Sequence, residues 1–195
     1  MTIRTVCRQV FKCLEQGSTD LRYTSFVAFD LETTGLSPSS GARVIEIGAV
    51  GIENGVITGE FTGLVSIPGN IPPYTSLIHG ITDDMLIGQP KPENIFPRFR
   101  EFIGKKPLIA HNVRFDATFL RHEFSRLGFD LPNPGICTLE MSRRLLPDLP
   151  NHRLETVARY LLGNLPKGTR LHRAMDDARL VVQIWTKMMS SEGLN

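Results

Sequence analysis

Apolar and polar positions along this chain follow two rhythms, short apolar runs of strand type and longer stretches with apolar residues every three or four positions. The first run, Phe26 to Asp30, is strand-forming and ends in an acid. A second strand is predicted over Arg43 to Ile52, carrying Val44, Ile45, Ile47, Ala49 and Val50. Glu53-Asn54-Gly55 is a hairpin signal, and Val56 to Ile67 returns as a third strand, so the sheet begins antiparallel. Pro68 to Pro73 reads as loop. Ser76 to Gly88 predicts two short helical pieces around His79-Gly80-Ile81-Thr82, the second capped by Thr82 with Asp83 and Asp84 in its first turn. A helix over Pro92 to Phe102 places Ile95, Phe96, Phe99, Phe102 and Ile103 on one side. Pro107 to Ala110 is a short buried strand, and Asn112 to Leu127 is a helix with Phe115, Phe119, Leu120, Phe124 and Leu127. Ile136 to Thr138 predicts a last strand, followed by a helix to Leu146 and by helices over His152 to Leu162 and Ala174 to Met189. Three strands in a meander followed by alternating strand and helix predict an α/β fold, a mixed sheet with helices packed on it. No internal repeat or low-complexity tract divides the chain.

Composition narrows this picture only slightly. A length of 195 residues suits one domain, and 41% apolar with 22% charged residues is ordinary for a globular chain with a core. The net charge of +2 permits a nucleic-acid partner without requiring one. Cys7, Cys13 and Cys137 form no metal or redox spacing, which predicts a reduced, cytoplasmic setting. No apolar run approaches the roughly 18 residues of a membrane span, so no membrane association is expected. Residues 1–24 read as an N-terminal extension with an amphipathic helix (Val6, Val10, Leu14), an organellar presequence being the alternative for its Arg4, Arg8, Lys12 and Arg22.

Candidate chemistry collects at three places. Asp30 and Glu32 lie two apart on the first strand, so both project to one face, where two carboxylates repel unless a cation is present. The alternative is a solvated pair on an edge strand. The Thr33-Thr34-Gly35 exit is turn chemistry, and Gly35 allows close approach of a backbone or ligand. Asp116 falls in the first turn of the helix after the fourth strand, where an acid either serves a site or complements the helix dipole. At the start of the last helix, Asp177 shares the side of Ala174, Ala178 and Val181 and points inward, whereas Asp176 is rotated by about 100° toward solvent. His172 falls just before that helix, on a loop, where a solvent-exposed imidazole is the alternative to a functional one. Four acids from three distant segments can hold hard divalent cations such as Mg²⁺, and a neighbouring His can take a proton from water, which completes the requirements of phosphodiester hydrolysis.

Phe29-Asp30-Leu31-Glu32-Thr33-Thr34-Gly35 resembles the first motif of the DnaQ-like (DEDDh) 3′→5′ exonucleases, His111 to Asp116 the second, and His172 to Asp177 the third. Leu77 to Thr82 and Cys137 to Pro147 are similar to two further family segments, and the resemblance runs from about Thr24 to Met189. It implies a ribonuclease-H-like mixed five-stranded sheet flanked by helices, an exonuclease domain over 25–190 and a short tail over 191–195. It further implies two divalent ions, Mg²⁺ with Mn²⁺ able to substitute. Asp30 would bridge both ions, Glu32 and Asp177 would complete the tighter site, Asp116 would serve the second, and His172 would be the general base. Thr33, Thr34, Gly35 and Leu36 would contact the 3′-terminal nucleotide, with Leu36 as an apolar wedge, and His79, Ile81, Asn112 and Phe115 would surround its sugar and base. The expected activity is release of nucleoside monophosphates from a DNA 3′ end, as in the proofreading epsilon exonucleases of bacterial DNA polymerase III. An RNA exonuclease of tRNA-trimming or oligoribonuclease type is the alternative, and a nucleic-acid-binding polymerase accessory module is the alternative from another class. The absence of an extended segment after Met189 leaves a polymerase partnership open and favours a free-standing exonuclease.

Overall fold

The computed structural model describes residues 25–190. The helix expected within 1–24 and the short tail expected at 191–195 lie outside the described residues. Five strands form one sheet: β1 (Ser25–Thr33), β2 (Val44–Glu53), β3 (Val56–Leu64), β4 (Leu108–Ala110) and β5 (Gly135–Cys137). Their order is β3-β2-β1-β4-β5. The pairs β1–β2 and β2–β3 are antiparallel, while β1–β4 and β4–β5 are parallel. Seven α-helices accompany the sheet among the described residues: α1 (Pro73–His79), α2 (Asp83–Leu86), α3 (Pro92–Ile103), α4 (Val113–Arg126), α5 (Thr138–Leu145), α6 (Leu154–Leu162) and α7 (Ala174–Met189). This is the mixed five-stranded, ribonuclease-H-like arrangement expected from the sequence.

The β2–β3 hairpin turns at Asn54 (φ 52°) and Gly55 (φ 77°), the two positive φ angles that a tight turn matched to strand twist requires. β1 is flanked on both sides, which excludes the solvated-edge alternative for Asp30 and Glu32. Its alternation decides what each face meets. Phe29 points toward α3, where its ring lies 6.5 Å from that of Phe99. Phe26 points the other way, onto α7, its ring 5.7 Å from that of Trp185 in an edge-on contact. Ala28, Asp30 and Glu32 share the face of Phe26. The strand face that packs on α7 is therefore apolar up to Ala28 and acidic from Asp30 onward.

Several boundaries differ from the sequence expectation. β1 runs to Thr33 rather than stopping at Asp30, because Leu31 and Glu32 continue to pair with Ile47 and Glu46; the register slips only between Glu32 and Thr33. β3 ends at Leu64, yet the Val65 N–H still donates to the Ile45 carbonyl (2.8 Å). α1 begins at Pro73, within the stretch predicted as loop, since a proline at the first helical position gives up no needed N–H. Thr82 precedes α2 but its side chain makes no capping hydrogen bond; Asp83 instead accepts from the Ile71 N–H (2.7 Å) and ties the preceding loop down. Thr138 opens α5 instead of closing β5, and α6 starts at Leu154.

Candidate active site

Three carboxylates converge where α7 meets the acidic part of β1. Asp30, Glu32 and Asp177 each place an oxygen within 4.8 Å of the other two. The two β1 acids arrive by strand alternation. Asp177 arrives because α7 buries Ala174, Ala178 and Val181 and carries the acid along the same side. Asp116 sits in the first turn of α4, directly after β4, and its side chain is buried. It is close enough to raise the Asp30 carboxyl, although it stands outside the tight three-acid group.

The electrostatics are those of acids crowded without a counter-charge. Burial, and then the charges of Asp116, Glu32, Asp177 and Glu46, push the Asp30 carboxyl well above the usual carboxylate range. Burial and the neighbouring Asp177 and Glu46 raise Glu32 to about 8, with Arg173 pulling slightly the other way. Asp116 is raised to about 8 by burial, against backbone N–H bonds at its own position and at Leu31. Asp177 is raised to about 7, chiefly by burial, while the His172 N–H holds it down. Asp177 Oδ1 is buried and has no hydrogen-bond partner. A buried carboxylate oxygen left unpaired is costly. An orphaned oxygen beside other crowded acids is a donor set suited to a hard divalent cation, so the residues fit a metal site.

Of the other predicted residues, Leu36, Asn112 and His172 are exposed, and the rest are buried wholly or in part. His172 is exposed, holds left-handed backbone (φ 59°), and donates its N–H to Asp177 Oδ2 (3.0 Å). Five residues apart, the two side chains do not share a helical face; the contact runs through the His172 backbone. Asn112, exposed just before α4, is also left-handed (φ 81°). Such backbone costs a non-glycine residue about 1–2 kcal/mol, and both cases flank the acids.

Thr33 and Thr34 are buried, and their hydroxyls are engaged within the protein. Thr33 Oγ1 donates to the Gly35 carbonyl (2.7 Å), and Thr34 Oγ1 accepts from the Arg43 N–H (2.9 Å). The turn is thereby fixed to β2, while Leu36 beyond it is 85% exposed. His79 is buried; its Nδ1 accepts from the Ile81 N–H (3.0 Å) and its Nε2 has no partner. Ile81 is wholly buried in a small cluster with Ile45, Ile71 and Leu86. Its link to His79 is the backbone N–H alone, and its side chain offers no surface to a ligand. Phe115 is half-buried, its ring 4.9 Å from that of Phe119, so it belongs to the core on one side and to the rim on the other. Asp176, expected in solvent, is half-buried, and its side chain is held by Arg170 (3.4 Å) and Arg179 (3.7 Å).

Two residues that the sequence reading passed over are part of this region. Glu46 lies opposite Glu32 on β2 and is gripped by Arg173. The available signal was a lone acid inside the apolar run Val44 to Val50. His111 is the other. Burial lowers its pKa to about 4, so its neutral ring donates from Nε2 to the His152 carbonyl (2.7 Å) and accepts at Nδ1 from Thr138 (3.0 Å). It braces the end of β4 rather than entering the acid cluster.

Comparison with known proteins places this geometry. The RNase_T family model, described as an exonuclease, matches residues 27–185. The DNA polymerase III subunit epsilon of Aquifex aeolicus is 36% identical over 166 residues, covering 85% of this chain and 80% of that protein. The DNA polymerase III PolC-type protein of Clostridium perfringens is 39% identical over 159 residues, covering 82% of this chain. The chain spans only 11% of that much longer relative. Among solved structures, exonuclease X in complex with 5′-overhanging duplex DNA is 26% identical with a TM-score of 0.67, covering 87% of this chain and 96% of that one. Escherichia coli exonuclease I in complex with a dA16 oligonucleotide, at 21% identity and a TM-score of 0.73, shares the fold over 87% of this chain and 41% of its own.

Proposed function

The chain belongs to the RNase_T exonuclease family, and we propose that it is a metal-dependent 3′→5′ exonuclease that removes nucleoside monophosphates from a DNA 3′ end. The observation that carries this reading is the meeting of Asp30, Glu32 and Asp177 beside Asp116, with a buried Asp177 oxygen left unpaired. Two divalent cations of the Mg²⁺ or Mn²⁺ type, when bound, would polarise the phosphodiester and acidify a water molecule. Asp30 would be shared by both, because it interacts with Glu32, Asp177 and Asp116 alike. Glu32 and Asp177 would complete one site and Asp116 would serve the other.

His172 would take the proton from the attacking water. Its ring lies on the exposed side of the loop while its backbone is fixed to Asp177, which supports a base that reaches the site without ligating metal. The phosphorus–O3′ bond breaks, the water oxygen joins phosphorus, and the shortened strand leaves with a free 3′ hydroxyl. Leu36, standing out of the Thr33–Gly35 turn, would press against the terminal base. Asn112, His79 and the open side of Phe115 would bound its sugar and base. DNA is favoured over RNA because the relatives include polymerase III subunits and an exonuclease bound to duplex DNA.

The test is digestion of 3′- and 5′-labelled DNA and RNA oligonucleotides of one sequence, with Mg²⁺ and with chelator. A ladder of 5′-labelled products shortened from the 3′ end, abolished by chelator, is the expected result on DNA. Faster RNA digestion would reassign the substrate, and no metal-dependent ladder on either polymer would reject the hydrolase. His172→Ala should lower the turnover rate by about 10²–10⁴-fold while metal affinity, measured by Mn²⁺ titration, stays as in the wild type.

A further inference from the structure

The face of the sheet that carries Asp30 and Glu32 carries two more acids: Glu60 on β3, exposed and paired with Arg179, and Glu46, which stands next to the cluster. Glu46 on β2 pairs directly with Glu32 on β1, and Gly48 pairs with Asp30. Residues directly opposite in an antiparallel ladder point to the same face, and like charges placed so are destabilising. Glu46 is also buried. Its charge is met from the distant third motif. Arg173 Nε donates to both carboxylate oxygens (3.2 and 3.1 Å), and its NH2 group donates to Oε1 (2.6 Å). The Ala174 N–H donates to Oε2 (3.0 Å). One carboxylate therefore holds both the residue after His172 and the first residue of α7.

Gly48 makes the docking close. A Cβ at this position would lie 2.2–2.3 Å from the backbone of Ala174 and Met175, so only glycine lets α7 come down onto β2 here. One turn further on is Asp177, itself tied to the His172 N–H. The start of α7 is thus fixed on β2 by a side chain and by backbone contact. It is fixed at the height that brings Asp177 within 4.8 Å of Asp30 and Glu32. With its oxygens occupied by Arg173 and Ala174, Glu46 is held out of the ligand set despite standing beside it.

We propose that Glu46 is a positioning residue for the third motif: through Arg173 and the Ala174 N–H it sets His172 and Asp177 against the acids of β1. The proposal rests on the reading of those acids as metal ligands. Its physical content is placement by a charged, two-pronged pair together with one backbone bond, and this separates three variants. Glu46→Ala removes the hold, and should weaken Mn²⁺ binding and lower kcat by about 10–100-fold each, the range found when a group orienting a metal ligand is removed. The oligonucleotide KM should stay near the wild-type value, since Leu36, Asn112 and Phe115 are untouched. Glu46→Gln keeps an acceptor for the Ala174 N–H but turns an amide NH2 toward the Arg173 donors, and should recover only a small part of the loss. Arg173→Lys keeps a cation but not the two-pronged grip, and should fall between the wild type and Glu46→Ala.

The experiment is Mn²⁺ titration calorimetry, with steady-state rates on a labelled oligonucleotide and thermal melts confirming that each variant is folded. The clamp is supported by the order wild type, Arg173→Lys, Glu46→Gln, Glu46→Ala in Mn²⁺ affinity. If Glu46→Ala does not fold, the other two variants decide by the same order. A folded Glu46→Ala with wild-type Mn²⁺ affinity and kcat would overturn the proposal, and so would an Arg173→Lys that binds Mn²⁺ less well than Glu46→Ala. If the wild type hydrolyses no nucleic acid, the functional reading fails, while Mn²⁺ affinity still decides whether Glu46 places Asp177.

Discussion

Two sets of buried acids lie in this molecule, and the protein treats them in opposite ways. Glu46 and Glu123 are each matched by one arginine and one backbone N–H. Arg43 donates to both oxygens of Glu123 (2.7 and 2.8 Å), and the Val44 N–H adds a third bond (3.3 Å). Arg173 and Ala174 do the same for Glu46. Asp30, Glu32, Asp116 and Asp177 have no such matching: burial and neighbouring carboxylates raise all four, and one oxygen of Asp177 has no partner. A fold that can pair a buried glutamate with an arginine at two places, yet leaves four acids together without one, marks those four as a site where positive charge comes from outside. The matched acids hold the fold together; the unmatched ones are the acids proposed as metal ligands.

The sharpest way to break this contrast is to remove one acid from each set. Asp30→Asn should lower the rate of metal-dependent hydrolysis by about 10³-fold or more, as expected for losing a centre of transition-state charge stabilisation. The same variant should melt, free of metal, no lower than the wild type, because it deletes a crowded carboxylate. Glu123→Ala should do the reverse. It leaves Arg43 unpaired beside the core and should cost about 3 kcal/mol or more in stability by denaturant titration. At a temperature where it is folded, its kcat should be far closer to wild type than that of Asp30→Asn. An Asp30→Asn protein that keeps its activity, or that unfolds like Glu123→Ala, would erase the distinction between the two sets.

The same contrast explains what could be read from the sequence. The hairpin, the two parallel strands with a helix between them and the inward phase of Asp177 are local signals. Turn chemistry and apolar period reveal them, and all are present in the structure. The acid pair on β1 was legible as an anomaly in an apolar strand, but its burial was not, because that depends on β1 lying between β2 and β4. Glu46 was missed for the same reason: its meaning lies in a cross-strand register with Glu32 and in an arginine 127 residues away. The interior place of Ile81, the ion pairs of Asp176 and the hydroxyl bonds of Thr33 and Thr34 are likewise tertiary facts. A motif gives the order of the residues; packing decides which of them face a ligand and which hold the others.

A smaller effect appears in the dependence of stability on pH. With metal absent, the folded state holds protons on acids that titrate at about 7 to 8, namely Glu32, Asp116 and Asp177, with Asp30 also raised. The unfolded chain releases those protons near pH 4. The folded state binds more protons throughout that interval, so stability falls as pH rises from about 4 through about 8. Mg²⁺ or Mn²⁺ favours the ionised acids and should flatten this decline, raising the melting temperature most at the alkaline end. Thermal melts across this range with chelator and with Mg²⁺ provide the measurement. A metal-free curve that is flat in pH would mean that the acids are hydrated rather than crowded.

The finest test compares neighbours on one helix. Asp176 and Asp177 are adjacent, but Asp176 turns to Arg170 and Arg179 while Asp177 turns to the β1 acids. Arg170 and Arg179 are largely exposed, so pairs of this kind contribute about 0.2–1 kcal/mol. Asp176→Asn should therefore cost no more than about 1 kcal/mol and leave hydrolysis largely intact, whereas Asp177→Asn should abolish it. Asp176 also acts at a distance. Its charge is one of the influences that raise Asp177, so its removal makes Asp177 easier to ionise. Mn²⁺ binding by the Asp176→Asn protein should then reach its plateau at a slightly lower pH than in the wild type. A severe loss in Asp176→Asn with a mild one in Asp177→Asn would mean that α7 presents its other side to the acids of β1.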